Sequence, residues 1–84
     1  MDEIKKLRKN VDEIDRKILR LVEGRRSLTK EIGRIKRENG MPYYDKKREE
    51  EIVSRLARKS KLDKKFTKKL FMGIIAYCRK NEGR

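Results

Sequence analysis

The 84-residue sequence predicts an all-α protein with one long helix followed by two shorter ones. Apolar residues recur at intervals of three and four through the first 38 positions, which is the period of a helix with one apolar face. Gly40 and Pro42 interrupt this pattern, and no segment alternates apolar and polar residues as a half-buried strand would. Residues 1–84 are therefore predicted to form a single domain of three helices.

The first and longest helix is predicted over Asp2–Glu38. Its apolar residues share one face and form a stripe that we call the seam: Ile4, Leu7, Val11, Ile14, Ile18, Leu21, Leu28, Ile32 and Ile35. The helix is expected to end near residue 38, because Gly40 suits the left-handed turn that follows many helices and Pro42 cannot continue one.

Two shorter helices are predicted after this stop. Asp45 is expected to cap the second helix, which ends in the polar residues 58–61. One face of this helix carries Arg48, Glu49, Ile52, Val53 and Leu56. The third helix is expected to begin near Asp63. Its predicted buried stripe consists of Phe66, Leu70, Phe71, Ile74, Ile75 and Cys78.

The length of the first helix predicts a dimer. At about 1.5 Å per residue this helix spans about 55 Å. A compact domain of this size has a radius of gyration of about 12 Å and is therefore only about 30 Å across. The chain cannot cover its own seam, so a second copy is expected to cover it in an intertwined homodimeric helical bundle. A bent or frayed helix in a monomer is the alternative.

The composition limits the chemistry that the chain can perform. Lysine and arginine total 27 against 14 aspartate and glutamate residues, which gives a net charge of +13, and the chain has no histidine and one cysteine, Cys78. A histidine general base, a histidine-ligated zinc site and an internal disulfide are therefore excluded, and no metal or cofactor is expected. The excess of cations predicts an anionic partner, either a polyanion or a small multivalent carboxylate or phosphate.

The location of the protein is predicted from what the sequence lacks. No apolar run approaches the roughly 18 residues of a membrane span, and the N-terminus does not have the pattern of a signal peptide. The protein is therefore expected to be cytoplasmic, with no membrane partner.

Several charged residues stand where the helical pattern favours apolar ones. Arg25 occupies a seam position, Arg48 and Glu49 lie on the apolar face of the second helix, and Glu82 follows Cys78 by one helical turn. Each of them taken alone could be a solvated side chain or half of a surface ion pair. Their coincidence on faces that should meet predicts a site.

Helix geometry indicates which cations can converge. Arg25 and Lys36 are 11 positions apart, which places them within about 20° of each other and about 16 Å apart along the axis. Arg8 lies about 25 Å from Arg25, too far to reach the same small ligand. In an antiparallel pair of first helices, however, the partner's Arg8 would lie between Arg25 and Lys36. The expected site is a cationic pocket shared by two chains, suited to a compact dianion.

This arrangement resembles the all-helical class of chorismate mutases, which rearrange chorismate to prephenate in phenylalanine and tyrosine biosynthesis. The resemblance covers nearly the whole chain, and no single piece of it is specific. It rests on Leu7-Arg8, Asp15, Glu23-Gly24-Arg25-Arg26, Ile32-Gly33-Arg34-Ile35-Lys36, Pro42, Asp45-Lys46-Lys47-Arg48-Glu49 and Leu70-Phe71. The class is indicated by the combined spacing of two arginines and a lysine, Arg8, Arg25 and Lys36, followed by the motif aspartate-x-x-arginine-glutamate at residues 45–49.

The resemblance implies a role for each predicted cation. The partner's Arg8, with Arg25, Lys36 and Arg48, would surround the two substrate carboxylates. Lys36 would also donate to the ether oxygen whose bond breaks. The reaction is a pericyclic [3,3] shift that needs no cofactor and no protein nucleophile.

The resemblance also implies the polar and apolar contacts of the pocket. Glu49, together with the backbone amide of Asp45, would hold the ring hydroxyl. Apolar positions that line the family's pocket are matched by Ile32, Ile52 and Ile75. Cys78 stands where many relatives have a small polar residue, which would weaken a hydrogen bond to a substrate carboxylate.

Glu82 stands at the position where members of the resembled class usually have a glutamine, which donates a hydrogen bond to the ether oxygen. An ionised Glu82 would repel the negative charge that grows on this oxygen, whereas a protonated Glu82 could donate a hydrogen bond to it. We therefore expect kcat/KM to fall as pH rises through the range in which Glu82 ionises, and we expect Glu82→Gln to flatten the pH profile. An unchanged profile in this variant would remove Glu82 from the mechanism.

Three other functions are compatible with parts of the sequence. An isochorismate-pyruvate lyase would use the same scaffold and similar carboxylate contacts. A basic helical nucleic-acid-binding module would explain the charge, although the aromatic residues do not form a stacking set and no helix-turn-helix or zinc-finger spacing appears. A structural coiled coil is disfavoured by the helix breaks and by Arg25 in the seam.

Overall fold

The computed structural model consists of three helices, α1 (Asp2–Glu38), α2 (Lys46–Lys59) and α3 (Lys64–Glu82). It describes the backbone of residues 2–82 and the side chains of residues 2–80. The predicted all-α class and the predicted helix bounds are confirmed.

Both ends of α2 and the start of α3 follow from local capping. The Asp45 carboxylate accepts a hydrogen bond from the backbone N–H of Arg48 at 3.0 Å, which confirms Asp45 as the N-cap of α2. The Asp63 carboxylate accepts in the same way from the backbone N–H of Lys65 at 2.7 Å. At the other end of α2, the Ser60 N–H donates to the carbonyl of Leu56 at 3.0 Å.

The turn after α1 requires the glycine at position 40. Gly40 has a φ of +62°, in the left-handed region. The Met41 N–H donates to the Lys36 carbonyl at 2.8 Å and the Gly40 N–H to the Arg37 carbonyl at 3.4 Å. These two bonds form a Schellman motif, which satisfies the last carbonyls of α1 and reverses the chain toward α2.

We expect Gly40→Ala to lower the free energy of unfolding by about 1–2 kcal/mol, because an L-residue with a Cβ is strained in the left-handed region. Gly40→Asn should lose less, since asparagine tolerates this conformation better. Urea unfolding at one protein concentration measures both variants. Equal losses for alanine and asparagine would contradict the backbone explanation.

The core lies where α3 packs against both other helices. Its buried apolar residues are Ala57 on α2 and Ile75 and Cys78 on α3. Thr67 is also buried, and its hydroxyl donates to the Asp63 carbonyl at 2.9 Å, so the polar group is satisfied inside the core. This core is small for 84 residues.

Part of the predicted buried stripe of α3 is exposed in the single chain. Phe66 and Leu70 are 54% and 41% exposed, whereas Ile75 and Cys78 are buried as predicted. The prediction of burial was wrong for Phe66 and Leu70 in an isolated protomer, because the helices that the structure describes leave both side chains exposed.

The overall shape is too extended for a compact monomer. The chain measures 58 × 24 × 15 Å, and its radius of gyration is 16.3 Å, against about 12 Å for a compact domain of this length. Its accessible surface is 7466 Å², whereas a compact monomer of 10.2 kDa exposes about 5,300 Å². The difference of about 2,200 Å² is surface that a compact fold would bury.

The exposed surface is concentrated on the seam. Every residue from 2 to 21 is exposed, and among the seam residues Leu7 is 62% and Leu21 73% exposed. Seam residues in the C-terminal half of α1, such as Ile32, are also about half exposed. Within residues 2–82, none of the helices combines the length and apolar character needed to cross a membrane.

Candidate active site

A cleft of about 470 Å³ opens between the C-terminal half of α1, the first turns of α2 and the C-terminal half of α3. This volume lies within the range typical of small-molecule sites. Most of the residues predicted for the site line this cleft: Arg25, Ile32, Lys36, Asp45, Arg48, Glu49, Ile52, Ile75 and Cys78. The fold therefore brings together residues that lie up to 53 positions apart in sequence, from Arg25 to Cys78.

Cations line two sides of the cleft. Arg25 and Lys36 come from α1 and are half-buried, and Arg48 comes from the first turn of α2 and is exposed. The 11-residue spacing of the α1 pair places both side chains on the face that borders the cleft. The Lys36 ammonium donates to the carbonyl of Tyr43 at 3.3 Å, which ties the α1–α2 loop to the cleft wall.

The remaining wall is apolar, and part of it is buried in the core. Ile75 and Cys78 are 5% and 1% exposed and belong to the core, so the cleft borders directly on the best-packed part of the protein. Ile32 and Ile52 line it from α1 and α2. Cations beside an apolar wall interact more strongly with an anion than they would in bulk water.

Glu49 forms an ion pair with Arg79, a residue that was not predicted for the site from the sequence. Arg79 of α3 donates through Nη1 to Oε1 of Glu49 and also lines the cleft. Its guanidinium carbon lies 4.3 Å from the centroid of the Tyr44 ring. The hydrogen bond to Glu49 raises the pKa of Arg79 above its usual value, so Arg79 remains a cation.

The sequence carried a signal for Arg79. The residue follows Ile75 by four positions, so it continues the buried face of α3 as a charge among apolar residues. Arg25 is likewise a charged residue at a position where the helical pattern favours an apolar one.

Among the described side chains, one predicted site residue, Arg8, does not line this cleft. Arg8 is exposed on the N-terminal half of α1, roughly 25 Å along the helix axis from Arg25. The side chain of Glu82 lies outside the part of the chain that the structure describes, although its backbone belongs to α3. The roles predicted for both residues stay predictions.

Comparison with known proteins places the chain in a family. Residues 7–83 match the family model described as chorismate mutase type II. A chorismate mutase from Methanocaldococcus jannaschii is 35% identical over 80 residues, covering 92% of this chain and 81% of that protein. A bifunctional chorismate mutase/prephenate dehydratase from Aquifex aeolicus is 44% identical over 61 residues, which cover 73% of this chain and only 17% of the larger protein.

Solved structures agree with the sequence relatives. A chorismate mutase structure from Thermus thermophilus, form II, is 40% identical and superposes with a TM-score of 0.91 over 98% of this chain and 96% of that chain. Form I from the same organism gives a TM-score of 0.86 at 41% identity, over 90% of this chain and 98% of that chain. The chain therefore belongs to the chorismate mutase type II family.

Proposed function

We propose that the cleft lined by Arg25, Lys36 and Arg48 is the active site in which this chorismate mutase rearranges chorismate to prephenate. The observation that carries the proposal is the convergence of these three cations, from two helices, beside a carboxylate and an apolar wall. Chorismate carries two carboxylates, and guanidinium groups bind carboxylates through paired hydrogen bonds. The function is an isomerisation in aromatic amino-acid biosynthesis.

The cations would act by positioning the substrate and by stabilising charge. In the reaction one carbon–oxygen bond of the ether breaks while a carbon–carbon bond forms within the same molecule. Arg25 and Arg48 would hold the carboxylates so that the side chain lies over the ring in a chair-like conformer. Lys36 would donate to the ether oxygen, where negative charge grows in the transition state.

Two groups at the start of α2 would hold the ring hydroxyl. The Asp45 side chain caps α2 through the Arg48 N–H, and the backbone amide of Asp45 would donate to the hydroxyl oxygen, as the resemblance to the family implies. Glu49 would accept the hydroxyl proton in a hydrogen bond. Ile32, Ile52 and Ile75 would contact the apolar faces of the substrate, and the buried Cys78 thiol would offer only a weak hydrogen bond.

A second copy of the chain would complete the site. The exposed seam and the excess surface of about 2,200 Å² on each chain both support a homodimer, because two chains would together bury about 4,400 Å², within the roughly 2,000–5,000 Å² of obligate homodimers. In an antiparallel pairing of two α1 helices about residues 19–20, Arg8 of one chain would lie level with residues 30–32 of the other. Arg8 would then add a cation between Arg25 and Lys36. A cytoplasmic location stays a prediction.

The direct test is to supply purified protein with chorismate and, separately, with isochorismate. We expect chorismate to disappear and prephenate to form, with no salicylate or pyruvate from isochorismate. The comparisons support neither the lyase nor the nucleic-acid-binding alternative. Formation of pyruvate without prephenate would contradict the proposed reaction.

A further inference from the structure

Arg79 joins three parts of the site that do not otherwise share a helix. Its guanidinium binds Glu49 in the first turn of α2, and it lies over the ring of Tyr44 in the α1–α2 loop, while Arg79 itself stands in the last turn of α3. The two charged side chains are only 28% and 23% exposed. A charge pair that is mostly withdrawn from water and held on a ring face is restricted in its geometry.

The pair is also favoured by the helices that carry it. Glu49 stands near the positive end of the α2 dipole, and Arg79 stands near the negative end of the α3 dipole. Each helix end therefore stabilises the charge placed on it. The pair therefore connects α2 to α3 within the lining of the cleft.

The contact occupies one side of the Glu49 carboxylate. Arg79 donates to Oε1. An ionised carboxylate has two oxygens and can accept several hydrogen bonds, so Oε2 can still accept from a substrate hydroxyl. Arg79 thereby restricts the Glu49 carboxylate to one orientation.

The loop residue Tyr43 extends the same connection to α1. Its carbonyl accepts from the Lys36 ammonium at 3.3 Å, and the neighbouring Tyr44 ring lies under Arg79. Two consecutive residues of the loop thus contact Lys36, which is proposed to bind the ether oxygen, and Arg79, which binds Glu49. The loop therefore contacts cleft-lining side chains of both α1 and α3.

From these contacts we infer that Arg79 is a positioning residue, which acts on the reaction by orienting the Glu49 carboxylate toward the substrate's ring hydroxyl. This inference rests on the proposed function. It assigns Arg79 no contact with the substrate itself. Tyr44 has the subordinate role of holding the guanidinium in place.

A double-mutant cycle on chorismate turnover tests the inference. We expect Arg79→Ala to lower kcat/KM about tenfold to a hundredfold, with the same division between kcat and KM as Glu49→Gln. If Arg79 acts through Glu49, adding Arg79→Ala to Glu49→Ala, which removes both oxygens that could accept from Arg79, should change kcat/KM by less than about threefold. If Arg79 binds the substrate directly, the two losses should multiply, and this result would overturn the inference.

Matched variants separate positioning from folding and from net charge. Lys80→Ala removes one cation from the neighbouring exposed position of the same helix turn, and its kcat/KM should equal that of the wild type. Arg79→Lys keeps the charge and should recover part of the activity lost in Arg79→Ala. Tyr44→Leu leaves both charges in place and should give a smaller loss than Arg79→Ala.

The remaining outcomes are also decisive. If Arg79→Ala does not fold, Arg79→Lys and Tyr44→Leu are each combined with Glu49→Ala, and multiplicative losses would again overturn the inference. Wild-type kcat/KM in Arg79→Ala, together with an impaired Glu49→Gln, would overturn the inference and leave the proposed function intact. A wild-type protein that does not rearrange chorismate would instead contradict the proposed function before any variant is compared.

Discussion

Replacing Lys36 with methionine should lower kcat for chorismate by about a hundredfold to a thousandfold, the loss typical of removing one donor from a developing oxyanion. Methionine keeps most of the apolar stem and removes only the ammonium. Lys36 is half-buried in the cleft, where a neighbouring apolar wall strengthens its interaction with growing negative charge. Steady-state kinetics at saturating chorismate measures the effect.

The control for this variant is Arg37→Met. Arg37 is the next residue of α1, is exposed, and does not line the cleft, so the substitution removes the same charge from the same helix turn. We expect Arg37→Met to change kcat by less than about twofold, as surface substitutions away from a site usually do. A similar loss in both variants would show that net charge, and not a donor at the ether oxygen, governs turnover.

Mixing two inactive variants should restore about a quarter of the wild-type activity, because subunits pair at random in a two-fold dimer. We expect Arg8→Ala and Arg25→Ala to be nearly inactive alone, since each loses a cation that would bind a substrate carboxylate. In a mixed dimer, one site combines an intact Arg25 with an intact Arg8 from the other chain, and the second site lacks both. Half of the dimers are mixed and each has one intact site, which gives the quarter.

The mixing experiment needs proof that chains exchange. Two differently tagged copies show this by co-purification after the same incubation. The matched control mixes Arg25→Ala with Lys36→Met, whose lesions both lie in the cleft of one chain; a mixed dimer then has one damaged side chain in each site, and no recovery is expected. Proven exchange without recovery in the Arg8 and Arg25 pair would mean that each site uses one chain only.

The helices and their ends could be predicted from local sequence. The seam has a helical period, Gly40 supplies a left-handed turn, and Asp45 caps the next helix, so each bound depends on residues a few positions away. The candidate cations were equally visible, because Arg25 and Arg48 interrupt apolar patterns.

The contacts between helices could not be predicted in the same way. Burial of Phe66 and Leu70 depends on which element packs against them, and in the single chain both are exposed. Arg79 had the same pattern-breaking position as Arg25, but sequence alone could not tell that its partner would be Glu49, 30 residues earlier.

By itself, the sequence determined the helical class, the bounds of the helices and the set of charges that an anionic substrate needs, because helical period, capping and charge are local properties. Only the tertiary structure decided that Arg25, Lys36, Arg48 and Glu49 border one cleft and that Arg79 binds Glu49 in its lining. The physical reason is that a hydrogen bond or a shared cleft depends on distances of a few ångströms between helices. Those distances are set by the packing of α3 against its two neighbours and not by spacing along the chain.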